Sequence, residues 1–170
     1  MKMLFDILII VLIALLVIFV WVVYTRFFGA EFVETPKQVR KIALKMLKLN
    51  KKDVFYDLGA GAGSLLLEAA PKVKKAIGIE IDPLRFLIAY FRTKVKKLEN
   101  AEVVFGNLFS VPLNNATKIF LFLSKEASAK MAKKLKKEAK KAVIVSYKWP
   151  ITELRTIEKN QEYRLYKHKI

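Results

Sequence analysis

The stretch that most restricts the fold is VFYDLGAGAGSLLLEAAPKVKKAIGIEID, residues 54–82. Val54, Phe55 and Tyr56 are a short apolar run that reads as a strand and leads into Asp57. Gly59, Gly61 and Gly63 follow at alternate positions, and a helix opens at Ser64 and closes at Pro71. Ala76 to Ile79 is a second strand, with Glu80 at its end. Strand, glycine turn, helix and strand in about 30 residues make the βαβ unit of a parallel sheet. In such sheets the turn after a strand is where ligands bind, and glycines there let the backbone approach them closely.

The spacing narrows the ligand. A dinucleotide fingerprint starting at Gly59 needs glycine at position 64, where Ser64 stands, and no Gly-Lys-Ser/Thr of a P-loop is present. The pattern is instead G-x-G-x-G with an acid two residues ahead, and a second acid, Glu80, ends the next strand. A carboxylate at that strand end can accept both hydroxyls of a ribose. Two acids and no lysine for phosphate suit a cationic nucleoside better than a pyrophosphate. S-adenosylmethionine is such a ligand, with an amino-acid end, a sulfonium and an adenosine.

The rest of the chain continues the alternation. Thr35-Pro36 reads as an N-cap followed by proline at the first helical position, ahead of a helix marked by Val39, Ile42, Ala43, Met46 and Leu47. Asp82-Pro83 opens a helix through about Lys97, with Leu84, Leu87, Ile88, Phe91 and Val95 on one face. Val103–Phe105, Ile119–Leu123 and Val143–Val145 are further strands, and a lysine-rich helix with Ala127, Met131, Leu135 and Ala139 on its buried side lies before the last of them. Alternating segments near Glu153–Ile157 and Tyr163–His168, turning at Lys159-Asn160-Gln161, read as a closing hairpin. The expected fold is α/β, a Rossmann-like sheet of seven strands flanked by helices.

A different signal precedes this domain. Ile7 to Tyr24 is apolar without a break and, with Leu4 and Phe5, approaches the ~20 residues that cross a bilayer as a helix. Trp21 and Tyr24 stand at its end, where aromatic rings favour headgroups. A cleaved signal peptide has a shorter apolar core and small residues after it, whereas Arg26-Phe27-Phe28 follows here. The reading is an anchor over residues 1–28 and a single catalytic domain over 29–170, joined through a linker from Glu31 to Thr35. Arg26, Lys37, Arg40 and Lys41 flank the span, so the expectation is a single-pass cell-membrane protein with the domain on the cytoplasmic side, and the lysine-rich, cysteine-free composition points to a prokaryote.

Composition excludes several chemistries. With no cysteine there are no disulfides, thiolate metal sites or cysteine nucleophiles, and the single histidine, His168, argues against a histidine triad or a zinc centre. No metal site is expected. Of the net charge of +17, nearly all lies after residue 28. Such a field attracts nucleic acid, anionic lipid or acidic proteins, and thermal adaptation is the bland alternative. The eight lysines from Lys125 to Lys141 are by default a solvated helix face. An anionic lipid surface is the alternative reading beside a membrane span. Nucleic acid stays open as a third partner.

DLGAGAG followed by GIEIDP is similar to motifs I and II of the class I, seven-β-strand methyltransferases. The resemblance implies that Asp57 and the loop of Gly59, Ala60, Gly61 and Gly63 hold the methionine end of S-adenosylmethionine. It implies that Glu80 binds the ribose, that Asn107 lies beside the adenine, and that Ile81 and Leu108 flank that ring. FVETPK, then a short helix, then YDLGAGAG also resembles the small archaeal protein lysine methyltransferases. The mitochondrial enzymes that methylate lysine in the ATP synthase c subunit and in the adenine nucleotide carrier are similar too, and the latter carry an N-terminal hydrophobic segment. In that branch the Phe-x-x-Thr-Pro stretch lies against the cofactor, which adds Thr35 to the site. The chain departs from the branch at Ala62, where an Asp is commoner, and over Ser146 to Pro150.

The segment after the fourth strand, Phe122-Leu123-Ser124-Lys125, lacks the Asn/Asp-Pro-Pro-Tyr/Phe of enzymes that methylate the planar nitrogens of adenine or glutamine. A lysine amine needs only to be neutral and aimed. Phe122, Ser124, Tyr147 and Trp149, at strand ends, are candidates for the substrate channel; core or rim packing is the alternative for the aromatic residues. No general base is apparent. The expectation is a membrane-anchored S-adenosylmethionine-dependent methyltransferase acting on lysines of membrane-associated proteins. The alternatives are an acceptor that is a lipid, a quinone or RNA, and a non-catalytic cofactor-binding scaffold.

Overall fold

The computed structural model describes residues 2–28 and 33–170, without the side chains of Trp21, Val22 and residues 24–28. The interfacial roles of Trp21 and Tyr24, the flanking charge of Arg26, and the linker residues Glu31 and Phe32 lie outside the described residues. The chain divides into two compact units, Met1–Val33 and Glu34–Ile170. The first holds one helix, α1 (Lys2–Phe28). Its stretch Lys2–Val20 has a mean hydropathy of 3.3 and none of it is buried, so it is long and apolar enough to cross a bilayer.

The second unit runs α2 (Lys37–Leu47), β1 (Val54–Leu58), α3 (Ser64–Ala69), β2 (Lys75–Glu80), α4 (Pro83–Val95), β3 (Ala101–Phe105), β4 (Lys118–Leu121), α5 (Lys125–Glu138), β5 (Val143–Tyr147), β6 (Arg155–Asn160) and β7 (Leu165–Lys169). A single 3-10 turn, Ala70–Lys72, carries α3 into Pro71. The strands form one seven-stranded sheet in the order β3-β2-β1-β4-β5-β7-β6. The first five are parallel, and β7 is antiparallel to both β5 and β6.

This order explains the layers. The connections β1-α3-β2 and β2-α4-β3 step in one direction along the sheet and β4-α5-β5 steps in the other. Right-handed crossovers therefore put α3 and α4 on one face and α5 on the opposite face. β1 lies between β2 and β4 and is covered on both sides, so it reads as an unbroken apolar run. Phe55 faces α2 and α3 with Ala43, Leu47, Leu66 and Phe120. Tyr56 and Leu58 face α5 with Met131, Leu135 and Ile144. The strand order reverses at β1/β4, which marks the crevice beyond their C-terminal ends as the ligand position.

Several local expectations are corrected. Thr35 does not cap α2: Pro36 occupies the cap position, the helix begins at Lys37, and no side chain caps it. The Thr35 carbonyl instead accepts a bond from the Arg40 guanidinium at 2.6 Å. β4 ends at Leu121, two residues early, because Ser124 must leave the strand to cap α5, accepting the Ala127 N–H at 3.2 Å. The hairpin turns at residues 161–164, beginning two residues later than expected, with Asn160 Oδ1 accepting the Tyr163 N–H. On α4 the expected stripe forms as read from the sequence; it is exposed, and the buried residues are Ala89 and Thr93.

Candidate active site

Asp57 is the fourth residue of β1, paired in register with Gly78 on β2 and Phe120 on β4. It is only 3% exposed. Burial, and then the charge of Glu80, push its carboxyl up to about 7, against the pull of a backbone bond from Leu66. Among the described residues neither acid is paired with a lysine or arginine. Two buried carboxylates without a protein cation are an arrangement that a cationic ligand relieves.

The loop between them is set by its glycines. Gly59, Gly61 and Gly63 have φ of 87°, 55° and 80°, the left-handed region where a side chain is strained. A Cβ at Gly63 meets the Ala89 Cβ at 3.0 Å, so this glycine is also what lets α4 pack beside the loop. At Gly78 a Cβ meets Ala60 and Leu66 at 2.9 Å each, which demands glycine on the strand as well. The Gly59 and Ala60 N–H groups both reach the Ile79 carbonyl, at 3.0 and 2.9 Å, and so the turn is pinned to β2.

Glu80, 6% exposed, braces the same turn from the other side. Its Oε2 accepts the Gly61 N–H at 2.7 Å, and its Oε1 accepts the Ile81 and Asp82 N–H groups at 2.9 and 2.8 Å. The Glu80 carbonyl takes the Gly106 N–H at 2.9 Å, which brings the end of β3 alongside. Asn107 follows, exposed, its Oδ1 accepting the Phe109 N–H, while Leu108 packs partly into the core and Ile81 is open to solvent. Asp57, the glycine loop, Glu80, Ile81, Asn107 and Leu108 are thus gathered at one end of β1, β2 and β3.

A second cluster lies beyond β4 and β5. The Phe122 and Tyr147 rings are 4.6 Å apart between centroids. Lys148 Nζ stands 5.0 Å over the Phe122 ring and the Arg164 guanidinium 5.0 Å over Trp149. Leu123 joins the two clusters, since its Cδ2 lies 3.9 Å from where a Gly59 Cβ would be. Ser124 is occupied as the α5 cap.

Two polar networks here were not foreseen in the sequence. Glu34 accepts the Ser64 hydroxyl at 2.6 Å, and Arg92 donates to Ser64 Oγ at 3.1 Å and to the Ala62 carbonyl at 2.7 Å, so the residues before α2, the loop and α4 are tied together. Thr35 enters through Arg40, which also meets Glu68 at 2.8 Å. Fully buried His168 lies 3.0 Å from Ser146 Oγ and 3.2 Å from Thr156 Oγ1, and Ser146 donates to the Trp149 carbonyl at 2.7 Å. This holds the turn that presents Tyr147 to Trp149. Burial alone lowers the His168 pKa to about 4, so it is neutral.

With this geometry in view, the model of the ANTKMT methyltransferase domain matches residues 57–158, from the buried acid of β1 into β6. The chain belongs to the ANTKMT methyltransferase family. A protein-lysine N-methyltransferase of Saccharolobus islandicus is 34% identical over 124 residues, 71% of this chain and 77% of that protein. A probable ribosomal RNA small subunit methyltransferase A of Methanosarcina barkeri is 33% identical over 102 residues, which span 60% of this chain and 35% of that longer protein. Among solved structures, an RNA methyltransferase from Salinibacter ruber in complex with S-adenosyl-L-homocysteine superposes with a TM-score of 0.74 at 26% identity, covering 80% of this chain and 91% of that one. This methyltransferase is therefore an S-adenosylmethionine-dependent enzyme on the seven-stranded fold. The cofactor fits the residues present: two buried acids without a protein cation suit a cationic ligand that also donates hydroxyls, and the left-handed glycine turn lies between them.

Proposed function

We propose that this methyltransferase is anchored in a membrane by α1 and transfers methyl groups to lysine side chains of proteins there. Asp57 and the backbone of Gly59 to Gly63 would hold the amino-acid end of the cofactor, Glu80 its ribose, and Ile81, Asn107 and Leu108 its adenine, with Thr35 closing the site beside Glu34. S-adenosylmethionine supplies a methyl carbon on a sulfonium, so transfer requires only a lone pair aimed in line at it.

The observation that carries the lysine reading is the Phe122–Tyr147 pair with Lys148 over the Phe122 ring. A free lysine amine has a pKa of about 10.4 and must lose its proton before it can attack. Apolar rings desolvate the ammonium and neighbouring cations repel it, and both effects lower that pKa. Such a cluster favours the neutral amine without a dedicated base. The similarity to a protein-lysine N-methyltransferase over most of that protein's length supports the same acceptor. The hydropathy of α1 supports the anchor.

RNA is the second reading, supported by the ribosomal RNA methyltransferase relatives and the charge of +17. Incubation of the full chain with methyl-labelled cofactor and host membranes separates the two. Label that stays with protein through lipid extraction and is recovered as methyl-lysine after hydrolysis supports the proposal. Recovery only in RNA or in the organic phase refutes it.

A further inference from the structure

The outer stripe of α4 is uncovered among the described residues, and we infer that it docks on lipid, lying along the headgroup layer of an anionic bilayer. Leu84, Leu87, Ile88, Phe91 and Val95 fall within about 100° of arc on the helix. All five are exposed, Phe91 by 59% and Val95 by 81%. The side turned to the protein carries buried Ala89, which packs against Gly63, buried Thr93, and half-buried Phe86 against Phe105. A helix that keeps its large apolar residues outward in a contiguous patch marks a surface for a protein or membrane contact.

Charge decides between lipid and a second copy. Lys94, Lys96 and Lys97 border the stripe, and α2, on the same face of the sheet, points Lys37, Lys41, Lys45 and Lys48 outward, all exposed. Two such layers repel each other face to face, whereas anionic headgroups attract them while acyl chains take the apolar stripe. The inference rests on the proposed anchor, which holds the domain at a bilayer. Glu34, where the domain begins, is bonded to the Ser64 that Arg92 of α4 also holds. Docked in this way, α4 carries Glu80 and the cofactor loop at its N-terminal end to the membrane surface, and an acceptor lysine is drawn from proteins at that level.

The chain has no cysteine, so single thiols can be placed without background. Phe91→Cys, Leu12→Cys and Lys136→Cys, each in the full chain, are spin-labelled and reconstituted into vesicles of phosphatidylcholine and phosphatidylglycerol. Collision with oxygen and with a water-soluble nickel chelate is then measured. The expected result is an oxygen-to-nickel ratio at positions 91 and 12 several times that at 136, and a fall at 91 when phosphatidylglycerol is omitted. A wet label at 91 with a lipid-embedded label at 12 overturns the docking and leaves the anchor standing. A wet label at 12 overturns the anchor, and docking then survives only if 91 remains in lipid. Dipolar broadening at 91 that disappears on dilution with unlabelled chain identifies a second copy as the occupant and overturns the inference.

Discussion

Glu80→Gln separates the two tasks open to that carboxylate. In the structure Oε1 accepts two backbone N–H groups and Oε2 accepts one, from Gly61 at 2.7 Å. A carboxylate offers about four acceptor positions, so one remains, on Oε2. One ribose hydroxyl can be taken there without disturbing the loop, in a bond to a charged acceptor worth about 1.5–3 kcal/mol. Glutamine that keeps its oxygen toward Ile81 and Asp82 turns its NH2 toward Gly61, so the loop loses a second bond of about 1.5–3 kcal/mol. The expected outcome is a stability loss of that size and a weakening of S-adenosylhomocysteine binding by roughly ten- to a hundredfold. Chemical unfolding and titration calorimetry of the full chain in mild detergent read the two quantities separately. Lost stability with unchanged affinity refutes the ribose role and leaves Glu80 as a brace. A loss well beyond a hundredfold means that the ribose also displaces the Gly61 N–H.

Asp57 and His168 give stability opposite dependences on pH. Between about pH 4 and 6.5 the unfolded chain binds a proton at His168 that the folded chain lacks, so this group adds stability as pH rises. Over the same window the folded chain retains the Asp57 proton up to about 7 while the unfolded chain has lost it, so this group removes stability as pH rises. The two offset, and Asp57→Asn is expected to add a rise of about 3 kcal/mol across the window relative to the parent chain; urea unfolding with no such difference refutes the Asp57 assignment. Gly63→Ala is expected to cost about 1–2 kcal/mol for its left-handed backbone and about 1–3 kcal/mol for the contact with Ala89. Adding Ala89→Gly should recover only the second share in thermal melts. Trp149→Ala is expected to raise KM for the protein acceptor with S-adenosylhomocysteine affinity unchanged, and a joint loss would move Trp149 to the cofactor side.

The acid, glycine loop and second acid were legible because their chemistry is local in the chain: Asp57 to Gly63 is one turn, and Glu80 follows at the next strand end. The strands were legible as short apolar runs, since a sheet covered on both faces requires them. The bond networks were not, because they join distant residues. Nothing in the sequence near Glu34 announces Ser64, 30 residues on, or Arg92 beyond it. His168 argued only against a histidine triad, while the structure makes it the buried post that holds the Tyr147–Trp149 turn.

The α4 helix marks the boundary most clearly. Its periodicity specified an apolar stripe, and the sequence by itself determined that stripe together with the parallel α/β class and the cofactor motif. These depend on side-chain identity at fixed spacing along one chain. Which way the stripe faces was decided only in three dimensions: Gly63 packs close against Ala89, so the side of α4 with Ala89 and Thr93 turns inward and Leu84 to Val95 turn outward. Close packing between segments far apart in sequence selected that orientation, and pattern within a single helix carries no information about it.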